Sequence, residues 1–213
     1  MQLKETSRIE AFSDGVFAIA ITLLVLEISV PQIVAFHTKN DLWRELSHLW
    51  PSFFAFLLSF VFILVSWICH HALFNLIDKV SPLFIYTNGF LLLNIVFLPF
   101  PTAALARYIN SDYTQTAVLF YLLCFFLTGI AWNLLYITSL KPENLVSEKG
   151  YVKEIESMKR NARYGMIVNV LVTLLAIWFP LTAILINSLL WIFWIRTSAK
   201  MLRASKSVHQ IRN

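Results

Sequence analysis

Long apolar stretches dominate this chain, and short charged segments separate them. A transmembrane α-helix needs roughly 20 apolar residues to cross about 30 Å of hydrocarbon, and six stretches have about that length. They run over approximately 9–29, 50–74, 83–106, 115–139, 162–179 and 181–199. The pattern predicts an all-α polytopic membrane protein in which residues 1–213 form a single domain of six transmembrane helices. Only residues 179–181 separate the last two stretches, which favours a tight helical hairpin over one kinked helix.

The composition fits a membrane rather than water. Hydrophobic residues make up 58% of the chain and charged residues 14%, which leaves too little polar surface for a soluble domain. The net charge of +5 is explained by basic loops that face anionic membrane lipid, so no nucleic-acid partner is expected. Cys69 and Cys124 fall inside predicted spans, where a small hydrophobic role is more common than a disulfide.

Basic residues alternate between the two sides of the predicted spans. Fourteen of the 17 Lys and Arg residues lie in the terminal segments and in the loops after the second and fourth spans. The other three are Lys39, Arg44 and Arg107. Short loops rich in Lys and Arg stay in the cytoplasm. The alternation therefore predicts a multi-pass protein of the cell (plasma) membrane with both termini cytoplasmic.

Ionisable residues mark both ends of the first apolar stretch. Arg8 and Asp14 lie near its start, and Glu27 follows roughly 20 Å further along a helix. A charged residue inside a membrane indicates a functional site or a buried partner. The alternative is that Arg8 and Asp14 reach the headgroups. Glu27 either reaches the outer interface as well, or it faces a water-filled vestibule where it attracts cations.

Polar residues of three predicted spans fall at a similar depth. The second span carries two adjacent histidines near its cytoplasmic end, and the third carries Asn88 about two turns in. One histidine and Asn88 are expected to join Asp14 in a hydrogen-bonded layer, because adjacent helical residues point about 100° apart. A metal site is not expected, since no set of His and carboxylate residues recurs at ligand spacing. The full predicted structural layer comprises Arg8, Ser13, Asp14, Trp67, His70, His71 and Asn88.

Small and bulky residues form two neighbouring stripes on the first span. The small stripe, where another helix can pack closely, consists of Ala11, Gly15, Ala18 and Thr22. The bulky stripe consists of Phe12, Val16, Ile19, Leu23, Leu26 and Val30. By periodicity alone, a bulky stripe is typical of a lipid-facing or packing surface and does not indicate a pore.

The first span also carries a motif. The sequence RxxxFSD at 8–14, followed by GVFAIAITLLVLEI at 15–28, resembles the opening helix of the lysosomal potassium channel family (transmembrane protein 175), in its bacterial branch. Trp67 with the histidine pair at 70–71 supports the resemblance, as does FLPFPT at 97–102. Six spans with cytoplasmic termini also agree with this family.

The resemblance implies a potassium-permeable cation channel rather than an enzyme. It implies a homotetramer whose subunits place their first helices around a central pore, with membrane lipid and monovalent cations as further partners. K⁺ is the implied permeant ion, and no cofactor is implied. The motif assigns the narrowest ring to Ile19, further apolar rings to Leu23 and Leu26, and a position linked to cation preference to Thr22. Phe17 is expected to face lipid.

Selectivity for K⁺ over Na⁺ is expected to be modest, because the chain has no TVGYG loop to supply rings of backbone carbonyls. Two other classes remain open from the residues alone. One is a proton-coupled secondary transporter that uses Asp14 and Glu27 as relays. The other is a membrane enzyme or electron carrier that uses His70 or His71.

Overall fold

The computed structural model of the chain describes residues 5–29, 41–77, 79–141 and 149–210. All regular secondary structure in these ranges is helical. The helices are α1 (Glu5–Leu23), continued by a 3-10 turn over Leu24–Glu27, then α2 (Asp41–His48), α3 (Trp50–Phe74), α4 (Pro82–Phe97), α5 (Pro99–Tyr108), α6 (Thr114–Ser139), α7 (Lys149–Leu175) and α8 (Pro180–Gln210). Val30 of the predicted bulky stripe and Lys39 of the predicted topology lie outside the described residues.

Five segments in the described part of the chain are long and apolar enough to cross a membrane. They are Thr6–Glu27, Trp50–Phe74, Pro82–Tyr108, Thr114–Ser139 and Pro180–Ser205. The expectation of an all-α polytopic membrane protein is therefore confirmed. The segment predicted at 162–179 is not among the five, and it differs most from its predicted boundaries.

Helix α7 begins at Lys149 rather than at 162 and ends at Leu175 rather than at 179. Its charged first half conceals a helical pattern, because the buried positions Tyr151, Ile155 and Met158 recur every three or four residues. A hydropathy average loses this pattern among the surrounding charges. A turn at 176–178 then separates α7 from α8, and the two helices pack against each other as the predicted hairpin.

The third predicted span, 83–106, is interrupted. Pro99 has no N–H and its ring collides with the carbonyl four residues back, so α4 ends at Phe97 and α5 starts at Pro99. The start of α4 is capped by Ser81, whose hydroxyl accepts a hydrogen bond from the Phe84 N–H at 3.2 Å. The first and last helices also extend beyond the predicted spans, since α1 begins at 5 and α8 continues to 210.

Helix α3 holds the bundle together by packing against α1, α5 and α8, while α6 packs against α4, α5 and α7. A buried polar cluster links three of these helices. Ser59 on α3 lies 2.6 Å from the Thr102 hydroxyl on α5 and 2.9 Å from the Tyr121 hydroxyl on α6. Hydrogen bonds between membrane helices contribute about 0.6 kcal/mol each on average, so this cluster fixes the register of the helices more than it stabilises them.

Candidate functional site

One side of α1 is buried inside the subunit. Ser13, Phe17, Ala20 and Leu24 recur at intervals of four, three and four residues and face α3 and α4. Phe17 is only 2% exposed, and its ring lies 5.3 Å from the ring of His70. The expectation that Phe17 faces lipid is therefore wrong. Lipid-facing and core-facing sides of a membrane helix are equally apolar, so periodicity could not separate them.

The opposite side of α1 is uncovered. Ile19 is 60% exposed and Leu26 is 71% exposed, and Phe12 and Leu23 are exposed beside them. At about 100° per residue, Phe12, Ile19 and Leu23 fall within roughly 40° of one another. In the 3-10 turn, Leu26 eclipses Leu23, because side chains three residues apart align there. The geometry thus brings Ile19, Leu23 and Leu26 onto one continuous apolar face, which we call the Ile19 face.

Small residues border the Ile19 face. The predicted small stripe is exposed along its whole length, and a Cβ placed on Gly15 would meet no atom within 4 Å. The Thr22 hydroxyl donates to the carbonyl oxygen of Ile19 at 2.8 Å. Because its proton is used there, the lone pairs of the Thr22 oxygen remain available to an approaching cation.

Glu27 does not lie on the Ile19 face. In the 3-10 turn it eclipses Leu24, which is fully buried. Glu27 is half-buried in a shallow cleft that α1 forms with the α4–α5 break, where Leu26, Val96 and Pro99 are its neighbours. Its carboxylate therefore lies to one side of the aligned apolar residues.

Asn88 connects three helices in the buried part of the predicted polar layer. Its Nδ2 donates to the Ser13 hydroxyl at 3.0 Å, and its Oδ1 lies 2.9 Å from Nε2 of His70. In this orientation Nε2 carries the histidine proton. The Ser13 hydroxyl in turn donates to the carbonyl of Ile9 at 2.8 Å. The His70 ring also stacks on Phe74 at a centroid distance of 4.3 Å.

A second pair of contacts lies nearer the surface. Trp67 Nε1 donates to Oδ1 of Asp14 at 2.9 Å, and Nδ1 of His71 lies 3.3 Å from Oε1 of Glu10. The two rings stack at a centroid distance of 6.0 Å. Glu10 was not predicted as a site residue. Its spacing to Asp14 matches the spacing of Trp67 to His71, so two i, i+4 pairs face each other, and that match is the signal that could have revealed it.

Arg8 is not brought to the layer. Its side chain is exposed, and no ion pair to it is found among the described residues. At about 100° per residue, Arg8 points roughly 120° away from Asp14 and 140° away from Ser13. It lies instead at the start of the Ile19 face. In the described part of the chain, no three His, Cys, Asp or Glu residues cluster as metal ligands.

Comparison with known proteins places this geometry in a family. Residues 8–99 match the model of the family described as "Endosomal/lysosomal potassium channel TMEM175". A potassium channel of Chamaesiphon minutus is 45% identical over 161 residues, which cover 76% of this chain and 79% of that protein. The chain belongs to the TMEM175 family. The resemblance carried by the RxxxFSD motif is thereby confirmed, and the TMEM175 family is one of ion channels and not of enzymes.

Similarity to TMEM175 proteins extends over most of the chain. A potassium channel of Chryseobacterium sp. strain P1-3 is 30% identical over 188 residues, which cover 88% of this chain and 91% of that protein. The crystal structure of a lysosomal potassium-selective channel TMEM175 homolog from Chamaesiphon minutus superposes with a TM-score of 0.81 and 37% identity. That match covers 92% of this chain and 99% of the solved chain. The TMEM175 fold therefore includes α7 and α8, which lie beyond the residues matched by the family model.

Proposed function

We propose that four copies of this chain form a potassium-permeable cation channel in which the Ile19 face of α1 lines the conduction path. The observation that carries the proposal is the uncovered apolar face of a helix whose opposite side is buried against α3 and α4. The choice of K⁺ as the permeant ion rests on the relatives that are named potassium channels. Closed rotational symmetry is the usual arrangement of identical subunits, and four inward copies of α1 enclose a narrow axial path.

The small stripe favours contact between neighbouring α1 helices. Gly15 has open space where a side chain would be, and Ala18 is exposed one turn further along. Small residues allow membrane helices to approach closely, which increases van der Waals packing in the absence of a hydrophobic driving force. In a homotetramer this stripe meets the next subunit, while the Ile19 face turns towards the axis.

The constriction in this proposal is a ring of four Ile19 side chains, followed outwards by rings of Leu23 and Leu26. An apolar ring blocks ions when water leaves it and conducts when it widens and fills. Thr22 lies between these layers and presents the free lone pairs of its hydroxyl oxygen. It thereby supplies a polar contact to a partly dehydrated cation within an otherwise apolar path.

Selectivity follows from dehydration. Without a filter of backbone carbonyls, the wetted ring favours K⁺ over Na⁺ because K⁺ gives up its water more readily. That preference is modest, since an isoleucine ring cannot replace the lost water ligands. Glu27 lies off the Ile19 face, so its role is to supply negative charge near the outer mouth and attract cations, not to form a ring inside the path.

The polar layer is structural in this account. Ser13, His70 and Asn88 join α1, α3 and α4 at a buried point, while Asp14 with Trp67 and Glu10 with His71 join α1 to α3 nearer the surface. These contacts hold α1 at a fixed rotation. The Ile19 face is therefore presented outward from each subunit in the same orientation, as a symmetric pore requires.

The proposed topology has six crossings with both termini in the cytoplasm of the cell membrane. The crossing that this proposal adds to the five long apolar segments is α7, which pairs with α8 in the hairpin. Its 27 residues extend about 40 Å at 1.5 Å per residue. Gln115, at the start of α6, donates from Nε2 to the carbonyl of Ile177 in the α7–α8 turn, so both belong to one side of the bundle. The basic residues of α7 and α8 lie at the other end, which the distribution of Lys and Arg assigns to the cytoplasm.

The two alternative classes find less support. Asp14 is engaged by the Trp67 indole, and Glu27 lies to the side of the Ile19 face, so a continuous proton relay between them is not apparent in the geometry. His70 is enclosed by Phe17, Phe74 and Asn88, which suits a structural role.

Planar-bilayer recording of the purified protein separates a channel from a transporter. The proposal predicts discrete single-channel currents that are larger in symmetrical K⁺ than in symmetrical Na⁺. A transporter predicts saturable flux that depends on a counter-substrate, without resolvable single-channel steps. The proposed function would be contradicted if folded, reconstituted protein gave only saturable, counter-substrate-dependent flux.

A further inference from the structure

A cavity of about 130 Å³ lies between α3, α6, α7 and α8. No residue of α1 lines it, so it is separate from the Ile19 face. Its lining includes several aromatic side chains, among them Phe62, Phe125, Trp132, Trp191 and Trp194. Val168 at its edge is 37% exposed, so the cavity reaches the outer surface of the helix bundle.

Three buried polar atoms of this cavity wall have no partner in the described part of the chain. They are Oδ1 of Asn169, Nδ2 of Asn187 and Nε1 of Trp191. Asn187 is only 6% exposed, and an unsatisfied donor at such a position destabilises the fold. Asn187 and Trp191 are four residues apart on α8, which places them on one helix face, and Asn169 belongs to the neighbouring helix α7.

The aromatic walls are held in place by packing. The rings of Phe62 and Trp191 meet edge-on at a centroid distance of 5.3 Å, an arrangement that aromatic pairs favour. Trp194 packs directly over Gly165, where any Cβ would overlap its indole ring. These contacts fix the position of Trp191 against α3 and of Trp194 against α7.

Size and chemistry together define a ligand class. A dry apolar cavity of roughly 150 Å³ accommodates one benzene ring, so the volume here fits a single aromatic ring. The polar wall offers two donors and one acceptor. A hydroxyl group matches this set, because it donates one hydrogen bond and accepts two.

We infer that this cavity is a binding site for a small monocyclic phenol, with the ring among the aromatic side chains and the hydroxyl at Asn169, Asn187 and Trp191. The hydroxyl donates to Oδ1 of Asn169 and accepts from Nδ2 of Asn187 and Nε1 of Trp191, so it satisfies all three atoms. The bound molecule bridges α7 and α8 and lies against α3 and α6. The site is independent of the conduction path proposed above.

Fluorine NMR of the full chain in lipid nanodiscs tests this inference with two probes, 4-fluorophenol and fluorobenzene, and empty nanodiscs correct for partitioning into lipid. We expect a protein-bound resonance for 4-fluorophenol and at least fivefold weaker binding of fluorobenzene. Absence of a bound resonance above the empty nanodiscs would overturn the inference and leave a water-filled cavity. Equal binding of the two probes would overturn the role of the hydroxyl.

Two variants locate the site. Asn187→Leu removes a donor and should weaken 4-fluorophenol binding at least tenfold, and Ala162→Leu fills the cavity and should abolish it. Asn94→Leu on α4 is the matched control, because Asn94 bonds the Phe90 carbonyl of its own helix and does not line the cavity. Unchanged binding in Asn187→Leu and Ala162→Leu would overturn the assignment. If either variant fails to fold, the comparison of the two probes on the unmodified chain still decides.

Discussion

The side-chain amide of Asn88 on α4 lies 3.0 Å from the hydroxyl of Ser13 on α1 and donates a hydrogen bond to it. The same amide contacts His70 on α3 through its oxygen. One buried side chain therefore links α1 to the two helices behind it and contributes to the rotation of α1. This rotation decides which residues of α1 are left uncovered, and Ile19 is among them.

The first prediction concerns this amide. Asn88→Ala leaves Nε2 of His70 without its partner and removes the donor to the Ser13 hydroxyl, which keeps only its bond to the Ile9 carbonyl. The free energy of unfolding should therefore fall by roughly 1–3 kcal/mol. Thermal or denaturant unfolding of the purified protein measures the change. Asn94→Ala is the control, because Asn94 bonds only within its own helix among the described contacts. Equal losses in the two variants would contradict the linking role of Asn88.

The second prediction concerns the exposed contact between Asp14 and Trp67. Trp67→Phe retains an aromatic ring beside His71 but removes the indole donor, so stability should fall by about 1 kcal/mol, less than in Asn88→Ala. A double-mutant cycle with Asp14→Ala, which removes the acceptor, isolates the pair. Strict additivity of the two substitutions would show that this hydrogen bond does not couple the helices.

The third prediction concerns assembly. Gly15→Leu adds a side chain where the subunit itself has open space, so the fold should be retained while the approach of the neighbouring α1 is blocked. Light scattering of the purified protein should show a tetramer for the unmodified chain, as proposed above, and its loss in this variant. Gly89→Leu on α4 is the matched control, since Gly89 is also exposed with open space around it. An intact tetramer in Gly15→Leu would show that the Gly15 side of α1 does not lie in the subunit interface.

The fourth prediction concerns topology. A cysteine at Asn110, in the exposed loop between α5 and α6, should react with an impermeant maleimide applied to intact cells. A cysteine at the exposed position of Lys153 on α7 should react only after the membrane is opened. Both cysteines are introduced into a chain that carries Cys69→Ala and Cys124→Ala, so that the native thiols do not react. The reverse labelling pattern would place both termini outside.

Much of the fold was predictable because lipid leaves few alternatives to long apolar helices. The break at Pro99 follows from proline chemistry and could have been included. The start of α7 was missed for a different reason, since Tyr151, Ile155 and Met158 form an apolar face within a charged segment. Such a face is revealed by its period and not by mean hydropathy.

The sequence predicted which residues lie in the polar layer better than it predicted which of them bond each other. Depth along each helix predicted that Asp14, one histidine and Asn88 would meet, because residues at one level of a bundle are the ones that can. The structure joins Asn88 to Ser13 and His70 instead, and Asp14 to Trp67. Rotation about a helix axis was harder to predict, and Phe17 shows why. Its side chain is as apolar as a lipid-facing one, and only packing against His70 reveals that it is internal.

The central claim, that Ile19 lines the conduction path, is tested by Ile19→Asn. A polar side chain lowers the cost of wetting the ring, so conductance should rise and Na⁺ permeability should approach that of K⁺. Ile192→Asn is the matched control, because Ile192 is an exposed isoleucine on α8. It should leave permeation unchanged.

The decisive measurement is the reversal potential under bi-ionic K⁺ and Na⁺ for the unmodified channel and these two variants, each confirmed as an assembled oligomer. The account predicts a shift towards zero in Ile19→Asn together with larger currents, and no shift in Ile192→Asn. An unchanged reversal potential and conductance in an assembled Ile19→Asn channel would mean that this residue lies outside the conduction path.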